Sequence, residues 1–328
     1  METQKRTPWR RWIVLVLMIV GWILAGMYAP VRPEITVAAE KLIEEPLTEN
    51  FLGFAGPLYL VNTLPTLAVT IVLLVVIAFA TNRSLVKSQK SDLVPSGIGN
   101  AMEAILEMLY DLTESSAGAK WAKAIFPWFA TIMIYVLFAN LLKLVPGFES
   151  VGVIHHAHGE GHAIAEMSGS WARILPGEGE YILAPFFRGI SVDLNFTLTL
   201  AVISFVMIQV IGVRSQGMGY FSKFFNTKRM FKVPFFGAMD FLVGLLEIIS
   251  EFAKILSFTF RLFGNMFAGV VLVAVVASLL GNVSILSAMI MMFELFVGLI
   301  QAFVFGMLTM VFMAMATQGH GDEEHAEH

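Results

Sequence analysis

Arg261 sits in the run Phe252 to Gly281, which is otherwise largely apolar, far from either of its ends. A guanidinium at the centre of a membrane-spanning helix costs about 2.5 to 3.5 kcal/mol on insertion scales, so it is rarely found there without a task, and the task it suits is charge handling. Glu247, Ser250, Lys254, Ser257 and Asn265 recur around it at intervals of three or four residues, which places all six on one helical face. Such a stripe must face protein or water, because lipid cannot satisfy its hydrogen bonds. The competing account is structural: an ion pair that glues helices together, with the serine hydroxyls bonded back to the backbone. Three charged residues on the same face as the serines favour a hydrated path.

These residues need helices to hold them, and the composition supplies little else. Of 328 residues, 57% are hydrophobic and 14% charged, with a mean hydropathy of +0.76, a balance that indicates an all-α, polytopic membrane protein. Runs long enough to cross a bilayer are Trp12 to Ala29, Leu58 to Ala80, Ala124 to Val145, Phe196 to Val213, Phe241 to Leu280 and Ile285 to Ala316. They predict about six spans, the last two long enough to require tilt or curvature. Val94 to Ser116 interleaves Ile98, Met102, Ile105, Leu106, Leu109 and Leu112 with Glu103, Glu107 and Asp111, the pattern of an amphipathic helix on the cytoplasmic surface. No internal repeat of the two-halved transporter kind is visible.

Lysines and arginines cluster before the first run, between the second and third, and after the fourth, while segment 30–57 and loop 147–190 are poor in them. By the positive-inside rule both termini are cytoplasmic. The first run reads as a retained anchor or as a signal peptide, and Pro30 directly after Ala29 favours the anchor. The chain thus divides into 1–57, an anchor with an acidic extracytoplasmic segment; 58–317, the membrane domain; and 318–328, a His-rich acidic tail. With no cysteine, disulfides and thiolate chemistry are excluded. His155, His156, His158 and His162 are dense enough for zinc or nickel, but their acidic, Gly-containing loop reads rather as a solvated, partly disordered segment, and no metal site is assigned. No phosphate loop and no nucleic-acid signature occur, so no nucleotide, nucleic acid or other cofactor is expected to bind.

The stretches Arg261-Leu-Phe-Gly-Asn-Met266 and Gln301-Ala-Phe-Val-Phe305, together with Phe138 to Pro146 and Ser191 to Thr199, give the chain a specific likeness. From about Leu58 to Thr317 it resembles the a subunit of F-type ATP synthases, the membrane stator of a rotary motor. The resemblance implies an ion path, most simply for protons, shared with a ring of c subunits that each bear one carboxylate. A peripheral stalk of b subunits and the remainder of the synthase complex complete the implied partners, in a bacterial inner membrane. Arg261 matches the family's essential arginine, whose field keeps a passing carboxylate ionised and separates two aqueous half-channels. Asn265 and Gln301 match its polar neighbours. Asp193 and Asn195 match residues of the extracytoplasmic half-channel, although helix capping explains Asp193 nearly as well. Glu247, Ser250 and Lys254 fit the cytoplasmic exit. Two positions depart from some bacterial relatives: Val270 stands where they carry an acid, and Glu294 where they carry a histidine, which leaves Glu294 as the relay and its partner open. The alternatives are a self-contained ion-coupled transporter, or a scaffold in which Glu294 is merely a satisfied buried carboxyl.

Overall fold

In a computed structural model of the chain, the described residues are 36–43, 45–49, 56–89, 97–145, 148–166, 172–224, 234–280 and 285–318, with isolated positions 12, 16 and 19. Most of the first apolar run and the C-terminal tail therefore lie outside them. Where apolar residues follow one another without turn residues, the backbone can satisfy its hydrogen bonds only internally, and helices result. They are α1 (Thr63–Gln89), α2 (Ile98–Leu142), α3 (Leu194–Gln216), α4 (Pro234–Leu280) and α5 (Ile285–Thr317). All five are long and apolar enough to cross a membrane.

The runs beginning at Phe196, Phe241 and Ile285 thus appear as helices close to their expected bounds. The second starts later than its hydropathy suggests, because Lys41 bridges Val61 and Thr48 bridges Leu58, so segment 36–49 folds back over the approach to α1. The amphipathic stretch from Val94 and the third span join in α2, a 45-residue element broken at Gly118, where φ 74° and ψ 157° leave helical space. A side chain there would be strained in the backbone alone, since nothing lies within 4 Å of a Cβ at that position.

The all-α expectation needs one correction. The loop read as solvated and partly disordered is instead an antiparallel β-hairpin, β1 (Gly152–Glu166) and β2 (Ala172–Pro185). Its ends pair aliphatic residues, Ile154 with Leu183 and Ile164 with Ile174, and such cross-strand pairs stabilise strands. The polar, Gly-containing middle that dominates the loop's composition coincides with irregular register between His156 and His162.

Packing centres on α2 against α5, with α3 and α4 closing around them. Phe129, Ile125 and Val136 of α2, Phe305, Met310 and Met313 of α5, and Leu262 and Met266 of α4 are buried in one cluster. Glycines allow the close approach: a Cβ on Gly306 would lie 2.8 Å from Met133 Cβ. Helix α1 and much of α4 instead expose apolar side chains, among them Val72, Phe79, Leu246, Phe252 and Phe260.

Candidate functional site

The buried face of α4 carries Glu251, Phe258, Leu262 and Met266, and the polar stripe lies beside it. Ser250, Ser257 and Asn265 are exposed, while Glu247, Lys254 and Arg261 are half-buried. The Arg261 guanidinium donates from Nη2 to Ser257 Oγ at 3.1 Å, one turn back on its own helix. Among the described residues no carboxylate pairs with it. Its charge therefore faces outward on an apolar helix surface, flanked by exposed Leu256 and Phe260.

Two polar ties fasten this helix to its neighbours. Asn265 Nδ2 donates to Gln301 Oε1 on α5 at 2.7 Å, bringing together two residues expected to adjoin the arginine. Further along, Gln209 Nε2 on α3 donates to Glu251 Oε2 at 3.2 Å, and Lys254 Nζ lies 3.0 Å from Glu251 Oε1. Glu251 and Gln209 are absent from the sequence-based set. The signal was present: Glu251 falls in register with Phe258 and Leu262 on the inward face, one turn before Lys254. Lys254 also lies 5.1 Å from the centroid of the Phe312 ring.

Glu294 is buried on α5, and its Oε2 lies 3.5 Å from Lys143 Nζ at the end of α2, with side-chain exposures of 10% and 4%. The sequence reading named Glu294 but left its partner open. Val270 does not supply one, and the residue of α4 that faces this carboxyl is Gly269, where a Cβ would come within 2.1 Å of Glu294 Oε1. A cavity of about 240 Å³ is lined by Lys143, Asn265, Gly269, Phe293, Glu294 and Val297. Glu294 Oε1, Lys143 Nζ, Asn140 Oδ1 and Gln301 Nε2 are buried without a hydrogen-bond partner among the described residues. Buried polar atoms of this kind are ordinarily satisfied by water, and the cavity that Lys143 and Glu294 line is roomy enough for several molecules. Asn140 Nδ2 meanwhile donates to the Gly298 carbonyl at 3.0 Å, locking α2 to α5 beside the cavity.

Asp193 meets the capping expectation. It caps α3, accepting from the Asn195 N–H at 2.9 Å, and its other oxygen accepts from Thr63 Oγ1 at 3.0 Å. Asn195 itself is exposed. Arg188 is buried nearby: its N–H donates to Thr66 Oγ1 at 3.1 Å, and its guanidinium binds Thr36 and Ala38 of the folded-back segment. Glu149 Oε1 accepts from the Gly189 N–H at 3.1 Å. The histidines 155, 156, 158 and 162 fall on β1, where the His156 ring packs against Tyr181 at 4.7 Å between centroids, tilted by 36°. Among the described residues no three His, Asp or Glu side chains gather as a metal site.

Taken together, the site is a helix-borne cation with a largely apolar cavity of about 240 Å³ nearby, into which Asn265, Lys143 and the buried carboxylate of Glu294 bring polar groups. Such an arrangement can stabilise a mobile carboxylate outside the chain and pass protons to it. The family described as ATP synthase A chain matches residues 65–314. An ATP synthase subunit a from Helicobacter pylori is 30% identical over 243 residues, covering 72% of this chain and 85% of that protein. One from Acidothermus cellulolyticus is 28% identical over 242 residues, covering 71% and 72%.

Proposed function

This chain belongs to the ATP synthase A chain family and is an integral membrane protein, and from that premise we propose that it is the stator of an ion-driven rotary motor. In this reading residues 58–317 form the motor domain in a bacterial inner membrane, with both termini cytoplasmic and 98–117 along the cytoplasmic surface. A ring of c subunits passes the outward face of α4, a b-subunit stalk holds the chain still, and ion flow drives ATP synthesis elsewhere in the complex. Protons are the simplest ion. Transmembrane potential supplies about 2.3 kcal/mol per charge per 100 mV, so several ions must cross for each ATP made.

The observation that carries this reading is Arg261, a permanently charged group on an apolar surface with no carboxylate partner of its own among the described residues. A lipid-facing arginine so placed has no account, whereas one facing a ring carboxylate has both a partner and a task. Arg261 keeps each arriving carboxylate ionised and bars direct leakage between half-channels. Asn265 and Gln301 hold its surroundings polar. Glu294 relays protons on the inlet side, with Asp193 and Asn195 toward the extracytoplasmic face. Glu247, Ser250, Lys254 and Ser257 line the cytoplasmic outlet.

The test is Arg261→Gln in membranes carrying only that variant. Ion-driven ATP synthesis is expected to vanish while the complex still assembles, as read by co-purification with a small two-helix, carboxylate-bearing subunit. Normal synthesis overturns the assignment, and a chain that purifies alone points to a self-contained transporter.

A further inference from the structure

We propose that Lys143 is the charge partner that sets the protonation of Glu294, so that the working unit on the inlet side is a lysine–glutamate pair contributed by α2 and α5. The inference rests on the stator reading above and adds a residue to it. Lys143 ends α2, where the helix carbonyls favour a cation, and Gly189 admits its stem, its Cβ position lying 3.1 Å from Lys143 Cβ. The ammonium nitrogen then reaches 3.5 Å from Glu294 Oε2 and shares the wall of the same cavity. Nζ and Glu294 Oε1 are both buried without hydrogen-bond partners among the described residues, so each keeps bonding capacity for water in that cavity. A purely structural ion pair would be expected to use that capacity on protein groups.

The charged groups around Lys143 are few. Glu294 faces it from α5 and Glu149 from the loop that follows α2, with Arg188 near Glu149. The α4 residues on this cavity, Asn265, Met266, Ala268, Gly269 and Leu272, carry no charge. The Lys143 ammonium thus places a positive charge beside the Glu294 carboxyl, and a charge so placed favours carboxylate over carboxylic acid.

The experiment is passive proton conduction through the membrane sector, stripped of its soluble part, recorded as a function of pH. Lys143→Gln is expected to move the conduction profile about one pH unit or more toward alkaline values, because it removes the positive charge that favours the ionised form of its partner. Lys143→Arg leaves the profile in place, since it keeps a positive charge beside Glu294. In a Glu294→Gln background, Lys143→Gln produces no further shift. An unmoved profile in Lys143→Gln, or the same shift with and without Glu294, overturns the pairing. Slowed conduction in Glu294→Gln beside an unmoved Lys143→Gln profile removes only this inference, whereas full conduction in Glu294→Gln removes the relay role of Glu294 and the pairing with it. Should Lys143→Gln fail to assemble, Lys143→Met supplies the neutral variant and is read against the same outcomes.

Discussion

A carboxylate buried on α5 with an ammonium 3.5 Å away and a glycine opposite is a site in which one atom can be changed and its effect read. Glu294→Gln keeps the volume and removes the proton exchange, and conduction is expected to fall by on the order of 10²-fold, the usual worth of a positioned acid–base group. Unchanged conduction would move the relay to Asp193. Arg261 was legible in the sequence as a charge in an apolar run, where its cost demands a reason, and Asn265 as part of the same stripe, whereas Glu294 and Gln301 were singled out by the resemblance. Lys143 was not, although it stands in a recognised stretch, because its meaning depends on a residue 151 positions later, and periodicity reports only neighbours on one helix. Glu251 was missed for the opposite reason. It sits among so many polar residues that nothing but its inward register distinguished it.

At the scale of elements, five of the six apolar runs became helices, since an apolar run of that length has no other way to satisfy its backbone in lipid. The remaining run lies mostly outside the described residues. Loop 147–190 misled because its average composition is polar and glycine-containing, while its strand-forming residues are confined to paired ends that only meet once the hairpin closes. Helix contact, by contrast, is set by small residues the hydropathy pattern ignores. Gly306→Val places branched carbon against Met133 Cβ and Phe129, atoms that cannot easily withdraw. Overpacking of this kind costs about 1 to 3 kcal/mol, so the purified complex is expected to melt several degrees lower. An unchanged melting temperature would show that α2 and α5 can separate freely.

For the molecule as a whole, one end of the bundle gathers the hairpin, the folded-back segment 36–49, Arg188 and the start of α1. The ends of α3 and α5 meet at the other, where Ser215 Oγ donates to the Thr317 carbonyl. In the proposed topology, the charge asymmetry of the loops puts these ends on opposite faces of the membrane. Because the native chain has no cysteine, the assignment can be checked with single replacements. Lys87→Cys is expected to react with a membrane-impermeant thiol reagent only from the cytoplasm, and Glu178→Cys on β2 only from outside. Labelling from one side in both variants would reverse or dissolve the topology. One further property follows from the two polar ties of α4. Asn265–Gln301 and Glu251–Gln209 lie about 21 Å apart along the helix, with Arg261 between them and closer to the first. In the proposed motor, a body dragging sideways on that arginine loads a beam that these two ties help to pin, and their stiffness bears on how much of each ion's fall becomes torque and how much is lost as slip.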